Sequence, residues 1–335
     1  MSRLTTRSVA APHRKVMQMR KHKWVVVLLA MMLTSLSNVA LAMGGFGPWG
    51  QAQRVQDLPG TDPAFNTDGY LDGCPFISPD GKMLFMASNR PEGGLGGIDI
   101  WVSTRAHKSD PWGPAKNVGA PVNTAANDFC PTLARNGRTF YFVSNRPGHC
   151  GITANADIYV TRLVDKKALQ LEDPNRPAFA PVGRLACDVD GGPNSGSDEA
   201  SPFPQRDKEN GRLLYFSSTR TGSGDIYVSH FDDGSFQLAT QVPGLNTDAV
   251  EGQPNVRKDG REIFFFSNRL GAQGNDIYSA TRNSTGDPWS EPVNLGSAVN
   301  SAASETRPSL SWDGETLYFG STRTGAGDIY VTTRS

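Results

Sequence analysis

The chain has no surplus of either charge: Lys plus Arg total 33 and Asp plus Glu total 33. A nucleic-acid binder needs a basic field, so that class of partner is excluded. Histidine is scarce, with five in the whole sequence. His13 and His22 sit near the N-terminus, His107 and His230 end predicted strands, and His149 sits in a loop. Ser-His-Asp chemistry therefore has little to work with. There is no Gly-x-Ser-x-Gly, no His-Glu-x-x-His and no phosphate loop. The apolar run from Trp24 to Leu33 is too short and too poorly flanked for a membrane span. Only four cysteines occur, with no CxxC-type spacing, so a metal site built from them with His149 has a poor basis.

What is abundant is glycine (36) and proline (23), which implies many turns and an all-β chain. The N-terminal 42 residues stand apart. Arg14, Lys15, Arg20, Lys21 and Lys23 precede the apolar run, and Ala40-Leu41-Ala42 supplies small residues for cleavage. That is the layout of a secretory signal peptide, so 1–42 is read as a leader and 43–335 as the mature fold. No cysteine at the cleavage point offers a lipid anchor, and no membrane span is expected in the mature chain.

One unit then recurs five times. It centres on Ser88-Asn89-Arg90, Ser144-Asn145-Arg146, Ser218-Thr219-Arg220, Ser267-Asn268-Arg269 and Ser321-Thr322-Arg323. A short apolar run, such as Phe140 to Val143, precedes each and reads as a strand buried on both faces. Before it lies a tight turn: Asp80-Gly81, Asn136-Gly137, Asn210-Gly211, Asp259-Gly260 or Asp313-Gly314. Such pairs predict hairpins with positive φ at both residues. After it comes a strand opening at Asp99, Asp157, Asp225, Asp276 or Asp328. A last strand carries an aromatic and an aliphatic six residues apart: Trp49/Val55, Trp112/Val118, Phe179/Leu185, Phe236/Val242 and Trp289/Leu295. Even spacing puts both on one face.

Labelled a to d in chain order, these strands give units near 72–118, 128–185, 199–242 and 251–295. The fifth, 305–335, lacks its d strand, and the unpaired d-type segment lies at 49–58. An N-terminal strand completing the last unit closes a ring, so the fold predicted is all-β: a single five-bladed β-propeller. Ser78-Pro79-Asp80-Gly81-Lys82 with Ser88-Asn89-Arg90 and Asp99-Ile100-Trp101 resembles the TolB-type, WD-like propeller repeat, and Asp313-Gly314, Ser321-Thr322-Arg323 and Asp328-Ile329-Tyr330 match it too. The resemblance spans essentially the whole mature chain. It implies an exported propeller, periplasmic or secreted from a bacterium. Its relatives include scaffolds, fused domains and some catalysts. TolB carries a further N-terminal domain that has no counterpart here, so its envelope role does not carry over.

Strand direction puts the d–a and b–c loops on one face, with the four cysteines and a ring of acids. Each d–a loop ends in an acid three residues before a proline: Asp72, Asp128, Glu199, Glu251 and Glu305. Each carries Asn-Thr or Asn-Ser, at Asn66, Asn123, Asn194, Asn246 and Asn300. Close carboxylates repel, and Arg90, Arg146, Arg220, Arg269 and Arg323 end the adjacent strands to compensate them. One reading is a structural network of acid, Arg and the c-strand Asp within each blade. The other is catalytic: propeller glycosidases set carboxylates around such a mouth, and Asp72, Asp128 and Glu199 are the natural trio. The loop Asp188-Val189-Asp190-Gly191-Gly192-Pro193-Asn194, followed by Asp198-Glu199, has part of a calcium-loop outline, but Gly192 and Pro193 stand where a ligand and the required glycine belong. No cofactor is therefore expected, with calcium at Asp188, Asp190, Asn194 and Asp198 as the alternative. Four cysteines allow three pairings, and position favours Cys74–Cys130 with Cys150–Cys187. The expected role is a monomeric binding platform for an envelope protein or a glycan, with a carbohydrate hydrolase as the alternative.

Overall fold

The computed structural model describes residues 45–151, 155–170 and 176–335. The predicted leader, 1–42, lies outside the described residues. Five antiparallel sheets follow one another. Blade 1 is β2 (Asp72–Ile77), β3 (Met83–Ser88), β4 (Asp99–Thr104) and β5 (Lys116–Asn117). Blade 2 is β6 (Asp128–Leu133), β7 (Thr139–Ser144), β8 (Asp157–Arg162) and β9 (Gly183–Arg184). Blade 3 is β10 (Glu199–Arg206), β11 (Arg212–Ser218), β12 (Asp225–Asp232) and β14 (Thr240–Gln241), with β13 (Ser235–Phe236) extending β12 as a small hairpin. Blade 4 is β15 (Glu251–Val256), β16 (Glu262–Ser267), β17 (Asp276–Thr281) and β18 (Val293–Asn294). Blade 5 is β19 (Glu305–Leu310), β20 (Thr316–Ser321) and β21 (Asp328–Thr333), and its outermost strand is β1 (Gln53–Arg54), paired Gln53 to Val331 and Arg54 to Tyr330. The protein is a five-bladed β-propeller.

The core lies at the blade seams, because each sheet has two apolar faces to cover. Phe85 and Phe140 meet between blades 1 and 2 with ring centroids 5.1 Å apart. Trp101 and Trp112 of blade 1 pack with Tyr318, Ile329 and Val331 of blade 5, so the last blade adjoins the first. Each fully buried Phe or Leu in these seams contributes about 1.5–3 kcal/mol.

Two local expectations need correction. In the a–b hairpins only the glycine has positive φ, for example Gly81 at 69°. The loop from β2 to β3 spans residues 78–82 rather than two central residues, and Asp80 closes it by accepting from Ser78 Oγ at 2.6 Å and Lys82 N at 3.2 Å. The d strands are only two residues long. Their aromatic and aliphatic partners flank them and bury in the seams, as Trp112 and Val118 do. An outermost strand has one neighbour, so its side chains, not a long ladder, hold it.

Candidate functional site

The register lines up the residues that the repeat made conspicuous. Asp72 pairs with Ser88, and Ser88 with Asp99, across one end of blade 1. The same row recurs as Asp128/Ser144/Asp157, Glu199/Ser218/Asp225, Glu251/Ser267/Asp276 and Glu305/Ser321/Asp328. The acid is thus the first residue of each innermost strand rather than the end of a loop.

All five of these carboxylates are 0% exposed, and each meets the arginine of its own blade. The Nη2–carboxylate distances are 2.5 Å for Arg90–Asp72, 2.6 Å for Arg146–Asp128, 3.0 Å for Arg220–Glu199, 3.2 Å for Arg269–Glu251 and 3.0 Å for Arg323–Glu305. Each guanidinium also donates from Nε to the strand-ending serine, at 2.8 Å in Arg146 and 3.0 Å in Arg269. It stacks over a c-strand ring, as Arg323 does over Tyr330 at 4.5 Å. The second carboxylate oxygen accepts from a loop N–H: Ser195 N to Glu199 at 2.8 Å, Thr247 N to Glu251 at 2.7 Å. Burial pushes the Asp72 and Glu199 carboxyls above their usual range, against the pull of their hydroxyl and arginine partners.

The c-strand aspartates do not join these arginines, which corrects the expected three-part network. They tie the b–c loop to the outermost strand instead. Asp276 accepts from Asn294 Nδ2 at 2.8 Å, and Asp157 takes Cys150 N at 2.8 Å and Arg184 at 3.4 Å. The d–a asparagines cap the c strand of the preceding blade. Asn123 Oδ1 accepts from Ile100 N at 2.9 Å and Asn300 from Ile277 N at 2.8 Å. Asn66 does the same for Ile329 at 3.1 Å, across the seam between blades 5 and 1.

Both disulfides form as position favoured, Cys74–Cys130 and Cys150–Cys187, with Cα separations of 5.0 and 5.6 Å. The second joins loops on the expected face. The first lies deeper, because Cys74 and Cys130 are the third residues of β2 and β6 and line the central channel. The calcium candidates are spent differently. Asn194 bonds Ile158 N at 2.8 Å and Leu185 O at 2.9 Å, and Asp198 accepts from Ala156 N at 2.9 Å. Asp188 and Asp190 sit in an exposed 3₁₀ turn. Among the described residues no three His, Cys, Asp or Glu side chains gather where they could hold a cation.

No family model and no curated protein sequence matches the chain. Solved structures do. The catalytic domain of the GH62 α-L-arabinofuranosidase of Coprinopsis cinerea is 14% identical over 86% of this chain and 97% of that chain, with a TM-score of 0.53. The endo-arabinase of Bacteroides thetaiotaomicron is 18% identical over 82% of this chain and 96% of that one, with a TM-score of 0.50. TolB from Acinetobacter baumannii is 16% identical over 80% of this chain, which spans 55% of its length, with a TM-score of 0.45. At such identities the likeness is one of fold. A fold shared with hydrolases does not assign their activity, and the choice among roles falls to the side chains.

The sequence paired Cys74 with Cys130 but did not show the ring of five positions to which they belong. Two positions after each acid stand Cys74, Cys130, Ser201, Gln253 and Arg307, all with φ between 49° and 59°. Each sits in a β-bulge, where the ladder skips between its neighbours, and the bulge turns it into the channel. Stacking the five repeats on their acids would have exposed this column and its odd member, Arg307.

Proposed function

We propose that the protein is an exported, non-catalytic propeller that captures a protein partner on the face made by the b–c and d–a loops. The observation that carries this reading is the fate of the mouth carboxylates. Asp72, Asp128 and Glu199 are fully covered, and each is held by an arginine and by loop groups. A glycosidase carboxylate must reach the glycosidic oxygen or the anomeric carbon. Carboxylates with this enclosure act instead as ties between strand and loop.

The same face carries apolar side chains in water. Of the seven large apolar residues that stand exposed among the described residues, four lie on these loops: Tyr70, Leu95, Val189 and Leu270. Val189 and Leu270 are 86% and 105% exposed. Apolar residues exposed on the loops of a rigid scaffold suit a protein interface. Two disulfides suit an oxidising compartment, which supports export to the periplasm or beyond the cell.

The test pairs two assays on the mature chain. Immobilised protein is offered the soluble proteins of its own periplasm or medium, beside a Leu95→Asp/Leu270→Asp variant. Capture by the parent chain and loss in the variant is the expected result; equal capture by both overturns the choice of face. A glycan-hydrolysis screen runs alongside with Asp128→Asn. Turnover that vanishes in that variant replaces binding with catalysis.

A further inference from the structure

Each innermost strand presents one bulged residue to the channel, and four of the five are neutral. Cys74 and Cys130 are joined to each other, and Ser201 donates its hydroxyl to Cys130 Sγ at 3.2 Å. The fifth is Arg307. Among the described residues it has no ion pair and no hydrogen bond, and its Nε is buried without a partner. Its nearest acid along the chain, Glu305, is already held by Arg323. Its Nη1 lies over Gly73 of the neighbouring blade, 3.1 Å from where a Cβ would stand, so a side chain there would press on the guanidinium. Burial draws the Arg307 pKa down to about 10, which leaves it charged at neutral pH.

Arg307 is half-buried, so the channel leaves part of its guanidinium open, and a cation held there among neutral neighbours attracts an anion. The site has room for one. Arg307, Gln253, Ser201 and the disulfide line a cavity of about 30 Å³. Roughly 10–15 Å³ of such space holds one water, so the cavity takes two or three oxygen-sized groups. Gln253 also keeps Oε1 buried without a partner among the described residues. Turning that amide over puts a neutral donor on the same cavity wall.

The approach is positive as well. Towards the a–b turns the channel opens into a second cavity that shares Phe76, Thr132 and Phe203 with the first. Arg135, Arg206, Arg257 and Lys258 line it, with no acid among its lining residues. Arg257 is matched by Asp259 at 2.9 Å and Glu262 at 3.0 Å. Arg135 stacks over Trp312 at 5.2 Å instead of meeting a carboxylate. Such a vestibule raises the local concentration of anions.

We propose that the central channel is an anion site in which Arg307 binds a carboxylate-sized oxyanion that enters from the a–b turn face. The planar guanidinium offers paired N–H donors to two oxygens of one group, a match that a spherical halide lacks. The ligand is either the carboxylate of an organic acid or an inorganic oxyanion such as phosphate, two of whose oxygens would enter the cavity while the others stay in the channel. This site is separate from the loop face proposed for partner capture, so either can fail without the other.

The experiment is thermal unfolding of the mature chain, disulfides intact, titrated with acetate, phosphate or chloride. Ionic strength is held constant with the bulky anion of MOPS. In the parent chain acetate or phosphate raises the Tm along a saturating curve, and chloride does so at least tenfold more weakly. Saturation by acetate alone assigns a carboxylate; saturation by phosphate alone assigns an inorganic oxyanion. In Arg307→Gln the saturable response disappears. Should that variant not fold, Arg307→Lys keeps the charge without the planar fork, and calorimetric titration should show at least tenfold weaker binding. Linear responses in the parent chain, equal responses in parent and variant, or chloride as effective as acetate would each overturn the proposal.

Discussion

Removing the cation from one buried pair should cost far more than removing one from a surface pair. Arg146→Met is the variant of choice, because methionine keeps an apolar stem against Tyr159 and Phe142. It deletes the 2.6 Å contact to Asp128, the Nε bond to Ser144 at 2.8 Å, and the bonds to Val122 O at 2.5 Å and Pro121 O at 3.3 Å. Asp128 is 0% exposed and stays tied to Thr124 N at 2.7 Å, so it cannot turn to water. Breaking a buried pair from one side costs about 3–5 kcal/mol. For a chain of this size that lowers the Tm by roughly 6–20 °C, at about 2–4 °C per kcal/mol. The control is Lys108→Ala, whose partner Asp313 lies 3.3 Å away with both side chains near half-exposed; it should cost about 0–1 kcal/mol. Urea unfolding with the disulfides intact supplies both numbers. Asp128→Asn with Arg146→Met completes a cycle, and a coupling near 2 kcal/mol is expected for a hydrogen-bonded charged pair. A cost for Arg146→Met no larger than the control would refute the claim that these carboxylates are structural ties.

Three more outcomes follow from the same geometry. Cys74→Ser/Cys130→Ser opens a link between residues 56 apart and should cost up to about 4 kcal/mol by loop entropy, read as a lowered urea midpoint; an unchanged midpoint would count against it. Gly96→Ala should destabilise by about 1–3 kcal/mol, since its Cβ would fall 2.1 Å from Ala126 O; a midpoint matching the parent's would show that the loop yields freely. Glu199 is raised by burial in the folded state, so its stabilising contribution is complete below its unfolded value of about 4.3 and is lost as pH climbs through the folded one. Glu199→Gln cannot ionise, so the stability of the parent chain relative to this variant should be larger at pH 4 than at pH 7; the opposite trend would show that the arginine outweighs burial.

The blades were readable from the sequence because their signals are local. Asp-Gly turns, apolar runs and Ser-Asn-Arg or Ser-Thr-Arg ends lie within a few residues of one another, and alternation along a strand depends on little else. The arginine partners of the acids were readable for a related reason. Arg90 and Asp72 are 18 residues apart in one hairpin, and the repeat shows the pairing five times. The separate duty of the c-strand aspartates was not, since Asp276 could face Arg269 or Asn294 until the outermost strand packs beside it.

Sequence alone thus determined five repeats, their strand order and the face that gathers the loops, all properties of neighbours within one unit or the next; among the three disulfide pairings it only favoured one. Tertiary structure alone decided what closure of the ring brings together. Asn66 meets Ile329 across 263 residues, and Cys74 and Cys130 turn inward at bulges. Among the described residues Arg307 has no ion pair, and the other bulged positions that line the channel with it are neutral. Burial and the absence of a partner are sums over every blade at once, and no single repeat contains them.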